Sequence, residues 1–95
     1  MIKHIVFFKL KDNSNEHKEY VKNLIMDLKD KIEVIKGFEV GINFSEEERA
    51  YDLALLSDFN SKEDLQIYAT HPLHVEVINY LKSKETVTKV VDYFY

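Results

Sequence analysis

The chain has 95 residues, no cysteine, and 17 acidic against 13 basic side chains, a formal net charge of −4. A single domain of this size buries only about 60–65% of its unfolded surface, so it gains from a partner, and without cysteine neither a disulfide nor a thiolate can supply stability, zinc ligation or nucleophilic chemistry. The interspersed acidic balance gives no reason to expect nucleic acid, no apolar run approaches the length that spans a membrane, and a cytoplasmic protein is the expectation.

From Ile2 to Leu10 the side chains alternate: Ile2, His4, Val6, Phe8 and Leu10 share one face, while Ile5 and Phe7 lie on the other between Lys3 and Lys9. This predicts a strand with both faces apolar at its middle. Asp12 to Asn15 supply turn and cap residues, after which Tyr20, Val21, Leu24, Ile25, Leu28 and Ile32 recur at helical spacing and predict a helix that ends by Gly37. His17, near the start of that helix and at the edge of its stripe, reads as a boundary residue without a polar companion.

Phe38, Val40, Ile42 and Phe44 alternate with Glu39, Gly41 and Asn43, a second strand whose glycine lets another group approach its backbone. A charged connection, Ser45 to Arg49, leads to a third strand from Tyr51 to Phe59 whose run through Leu53, Ala54, Leu55 and Leu56 asks for cover on both sides. Asn60 or Ser61 then caps a short helix with Glu63 and Asp64 in its first turn. The chain closes on a fourth strand, Thr86 to Tyr95, with Val87, Val91, Tyr93 and Tyr95 on one face and Val90 and Phe94 on the other.

Between these lies the stretch that carries chemistry, NSKEDLQIYATHPLHVEVINYL from Asn60 to Leu81. Pro72 has no amide hydrogen and pushes His71 out of the helical region, so one helix should end near Thr70 and a second begin at Pro72. On a helical wheel Leu73, Val77, Ile78, Tyr80 and Leu81 form one apolar arc that encloses His74, and Leu65 brings Tyr68 inward with it. In the first turn of its helix His74 meets unpaired backbone amides and the positive end of the macrodipole, which favour a neutral imidazole. A neutral imidazole beside a phenol hydroxyl suits general base chemistry or hydrogen bonding to a carbonyl ligand. The same residues also fit an ordinary amphipathic core whose polar tips find backbone partners.

The element order, with right-handed crossovers, predicts an α+β fold: a ferredoxin-like βαββαβ plait, a four-stranded antiparallel sheet with its helices on one face, filling residues 1–95 as one domain. The far face still carries Ile5, Phe7, Leu56, Val90 and Phe94 or their alternates, and such a patch predicts a homodimer in which two sheets close into an α/β barrel.

Over essentially its whole length the chain resembles the stress-responsive A/B barrel (Dabb) family. The resemblance rests on IKHIVFFKLK at Ile2 to Lys11, VGINF at Val40 to Phe44, YDLALLSDFNSKEDLQIYATHPLHVEV at Tyr51 to Val77 and the closing VVDYFY. It implies a homodimeric barrel with a cavity in each subunit between sheet and helices. In one plant relative, a cyclase that closes a linear polyketide by a metal-free aldol step, a tyrosine and a histidine act at the positions of Tyr68 and His74, with further histidines matching His4 and His71. Leu53 departs from that pattern, since the cyclase has a pocket histidine there.

Two functional readings follow. In one, a cofactor-free catalyst or binder of a small apolar carbonyl compound uses His74 as base and Tyr68 as hydroxyl donor, with His4 and His71 lining the pocket. In the other, a non-catalytic dimer acts in stress tolerance or as a partner-binding module, Tyr68 and His74 are structural, and His71 braces the junction before Pro72. A metal held by His4, His71 and His74 is a third arrangement, but no carboxylate is placed by sequence to complete its shell, and neither metal nor cofactor is expected.

Overall fold

Strand β1 covers Ile2–Lys9, β2 Gly37–Ile42, β3 Leu53–Phe59 and β4 Val87–Phe94, in the spatial order β2-β3-β1-β4 with every neighbouring pair antiparallel. Helix α1 covers Asn15–Met26, α2 Lys62–Thr70 and α3 Pro72–Ser83. The computed structural model describes all residues, 1–95. This is the βαββαβ plait, its second helical segment divided in two at His71 and Pro72.

Register decides which side chains share a face, because residues paired directly across an antiparallel ladder point the same way. Val6 pairs with Leu55 and Val90, Phe8 with Leu53 and Thr88, and His4 with Ser57 and Asp92. These rows face the helices, and Val6, Phe8, Leu53 and Leu55 are buried there with Val21 and Ile25 of α1 and Val77 and Leu81 of α3. The opposite rows pair Ile5 with Leu56 and Val91, and Phe7 with Ala54 and Lys89. On β4, therefore, the outward apolar residues are Val87, Val91 and Tyr93, and Val90 and Phe94 face the helix side. This corrects the named set expected for the far face in favour of its alternates.

Helix α1 is shorter than its apolar period predicts. Ser14 caps it, accepting from the His17 amide at 3.2 Å, but regular helix stops at Met26. Beyond it the chain continues in tighter turns, with Leu28 N–H donating to Ile25 C=O and Ile35 N–H to Ile32 C=O. Those turns keep Leu28 and Ile32 pointing inward and buried, so the hydrophobic spacing outlives the helix that it resembles.

Two polar devices fix the ends of β1. The Asp52 carboxylate, buried beside the strand, accepts from the Leu10 amide at 2.7 Å while the Asp52 amide donates to Phe8 C=O at 2.8 Å. At the other end Lys3 Nζ sits 2.8 Å from Asp58 Oδ1, and the Tyr95 hydroxyl donates to the same carboxylate oxygen. These bonds, Lys3 first, hold the Asp58 carboxyl below its ordinary range. Gly37, paired opposite Asp58, leaves room for this carboxylate, since a Cβ there would run into Asp58 Oδ2.

Candidate functional site

The break between α2 and α3 creates the site. In an unbroken helix the Ala69 carbonyl would accept from the amide four residues on, that of Leu73. Pro72 ends α2, and His71 in extended conformation becomes the N-cap of α3, its Nδ1 accepting from that same Leu73 amide at 3.2 Å. The Ala69 carbonyl is thereby released, and His74, on the first turn of α3, takes it with Nδ1 at 2.9 Å. A carbonyl only accepts, so Nδ1 carries the hydrogen and Nε2 of the neutral ring is left with its lone pair.

Burial pushes the His74 pKa below the ordinary histidine value; the Ala69 bond opposes that shift, and the charges of His4 and His71 add to it. The Ala69 carbonyl is the group that orients the ring. It could not be found by scanning for polar side chains.

Tyr68 lies on the inward face of α2, 2% exposed, with its ring 4.2 Å from that of His74 and 5.1 Å from that of Phe59. Burial alone raises its pKa far above that of a free phenol, so the hydroxyl stays protonated. It donates to no group of the chain. His4 reaches the same place from β1, its ring 6.2 Å from Tyr68, and its Nδ1 donates to the carboxylate of its cross-strand partner Asp92.

These residues meet at a cavity of about 300 Å³ between the sheet and the helices, lined by His4, Tyr68 and His74 together with a mostly apolar wall that includes Val6, Leu55, Val77, Ile78 and Val90. His71 does not line it; its ring is spent on the cap of α3. His4, His71 and His74 do not gather as a ligand triad, and no three histidine or carboxylate side chains are grouped to hold a metal ion. Asp92 is the member that sequence reading missed. Its only sign was a carboxylate between Val91 and Tyr93, and its relation to His4 depends on the β1–β4 register.

His17 also departs from the expectation of a residue without companions. Its Nδ1 donates to the Asp12 carbonyl at 2.7 Å, its Nε2 accepts from the Tyr80 hydroxyl at 2.9 Å, and its ring stacks with Tyr20 at 6.4 Å. The pair ties the start of α1 to α3, outside the cavity.

A protein of Bacteroides fragilis, described as dimeric, of unknown function and with a ferredoxin-like fold, is 40% identical over 99% of this chain and 95% of its own, with a TM-score of 0.81. An Arabidopsis thaliana protein is 30% identical over 100% of this chain and 95% of its own, with a TM-score of 0.84. A hydroxynitrile lyase of Passiflora edulis shares the fold at 22% identity and a TM-score of 0.82, over 99% of this chain and 92% of its own. No curated protein matches the chain. The model of the stress responsive A/B barrel domain matches residues 2–95, and the chain belongs to that family.

Proposed function

We propose that the chain forms a homodimer through its open sheet face and that the cavity of each subunit takes a small, mostly apolar carbonyl compound. The carbonyl oxygen is held by the Tyr68 hydroxyl, and the adjacent carbon faces His74 Nε2. Solved relatives described as dimeric support the assembly. The observation that carries the ligand reading is the Tyr68 hydroxyl, which is protonated, carried by a buried residue at the wall of a mostly apolar cavity, and without an acceptor in the chain. A ligand oxygen in the cavity would give this donor the partner that the chain does not supply.

The same pair supports acid–base chemistry without a cofactor. A C–H bond beside the carbonyl breaks, its proton passes to Nε2 of His74, and the electron pair becomes an enolate whose oxygen accepts from Tyr68. The enolate carbon then attacks a second carbonyl of the same molecule, and the protonated Nε2 returns its proton to the alkoxide that results. This is a cyclising aldol addition in which the protein ends as it began. Asp92 holds His4 so that its Nε2 is available at the cavity wall.

Dibutyl ketone is a suitable neutral probe. It should bind the native protein by calorimetry, and Tyr68→Phe should weaken it about fivefold, the worth of one hydrogen bond of about 1 kcal/mol, while leaving nonane unaffected. Equal binding of the ketone to both proteins, or no binding to either, would overturn the reading.

A further inference from the structure

The cavity has a second polar end, and it lies on the far side of the apolar wall from Tyr68 and His74. Lys82 and Thr86 line the cavity, as does Thr88. Lys82 is eight residues beyond His74 on the same helix, which at 1.5 Å per residue places the two about 12 Å apart along the axis, with Ile78 midway between them. The sheet repeats the measure. Asp92 pairs with His4 and Thr88 pairs with Phe8; the four-residue step between these pairs is about 13 Å of strand. Helix and sheet thus run side by side, each polar at both ends and apolar between.

The outer end is unsatisfied within the chain. The Thr86 hydroxyl is buried and has no hydrogen-bond partner. Lys82 lines the cavity but makes no ion pair, while the nearest acid in the sequence, Glu85, is held by Lys11 at 2.6 Å and Lys84 lies over the Tyr80 ring at 5.8 Å. Thr86 is fixed beside the end of α3 by its amide, which donates to Leu81 C=O at 3.1 Å.

We propose that the cavity is built for a medium-chain carboxylate: its anionic head is taken by the Lys82 ammonium and the Thr86 hydroxyl, and its apolar body, about 12 Å long, runs along α3 to place a carbonyl at Tyr68 and His74. This names the ligand class of the same site and rests on the donor and acceptor reading above. Lys82 is exposed as well as lining the cavity, so it selects the head group, while the apolar wall and the distance to Tyr68 set the chain length.

Decanoate, decanamide and butanoate test this against the native protein and against Lys82→Met, a change at an exposed position that keeps the helical stem. Decanoate should bind about tenfold more tightly than decanamide, and the ratio should fall to near one in Lys82→Met. Decanoate should also shift the ring resonances of His74, which butanoate is too short to reach. Thr86→Val should weaken decanoate severalfold while the melting temperature holds. A carboxylate preference that is absent in the native protein, or that survives Lys82→Met, overturns the proposal. If the preference is absent while dibutyl ketone still depends on Tyr68, only the ligand class falls. If Lys82 holds decanoate while the ketone is indifferent to Tyr68, the donor and acceptor reading falls, and with it the placement of a carbonyl at the inner end.

Discussion

On the helix-covered face of the sheet Val6, Phe8, Leu53 and Leu55 are 2 to 7% exposed, whereas on the opposite face Phe7, Val91 and Tyr93 stand at 43, 57 and 45%. The residue types are alike and come from the same strands, so their fate is decided by alternation and by what lies above each face. The contrast has a third term. Val90 and Phe94 point to the helix side and are still 52 and 66% exposed, because the helices cover β2, β3 and β1 but stop short of β4. Thr88 and Val90 of that strand line the cavity. One face is closed by the chain itself, one is left for another body, and the seam between closed and open holds the site.

Two substitutions of one residue type separate the faces. Phe59 is fully buried on the helix side, and Phe59→Ala should cost on the order of 3–5 kcal/mol, lowering the melting temperature by about 15 °C or more. Phe7→Glu on the open face should leave each subunit folded, with a circular dichroism spectrum like that of the native chain, while sedimentation reports the mass of one chain where the native protein gives two. A dimer that survives Phe7→Glu would place the interface elsewhere.

Gly37→Ala probes the clasp at the end of the open face, where the added Cβ meets the Asp58 carboxylate. Overpacking of this sort costs about 1–3 kcal/mol, and the double variant with Asp58→Ala should recover part of the loss in urea unfolding. Additive losses would mean that the glycine serves another purpose.

A smaller effect belongs to the seam. His71→Ala removes the cap of α3 and should cost about 1 kcal/mol, while His71→Asn, which can also cap, should cost less. Because the cap keeps the Leu73 amide away from the Ala69 carbonyl, His71→Ala should also loosen the Nδ1 bond of His74, seen as a change in its ring nitrogen shifts. Unchanged shifts would show that His74 holds its carbonyl unaided.

Stability should follow pH with the sign that burial of His74 sets. Its folded pKa lies below the unfolded value of about 6.5, so its neutral form contributes stability that is fully present above that pH and is lost as the pH falls through the folded value. His74→Gln should flatten that part of the profile in thermal melts.

Much of this was legible in the residues themselves. Period-two alternation separated the two sets of side chains on β1 and on β4, without deciding which β4 set faces the helices, and Pro72 with the arc around His74 located the break between α2 and α3. The end of α1 was not legible, because Leu28 and Ile32 keep helical spacing through turns that are not α-helix. Neither were the partners of His17, since Tyr80 is 63 residues away. The orientation of His74 was hidden for a different reason: its partner is a backbone carbonyl, freed only because His71 takes the amide that would have used it. The His4–Asp92 pair depended on the register of β4 against β1, which alternation alone leaves open.

The most direct test of the account is a nitrogen NMR titration of the His74 ring. The expected result is a neutral ring at pH 7 with its hydrogen on Nδ1, an unprotonated Nε2, and a pKa below the free histidine value of about 6.5. A pKa at or above that value, or a hydrogen on Nε2 in the neutral form, would contradict it, because the cavity would then lack the acceptor that the proposed chemistry requires.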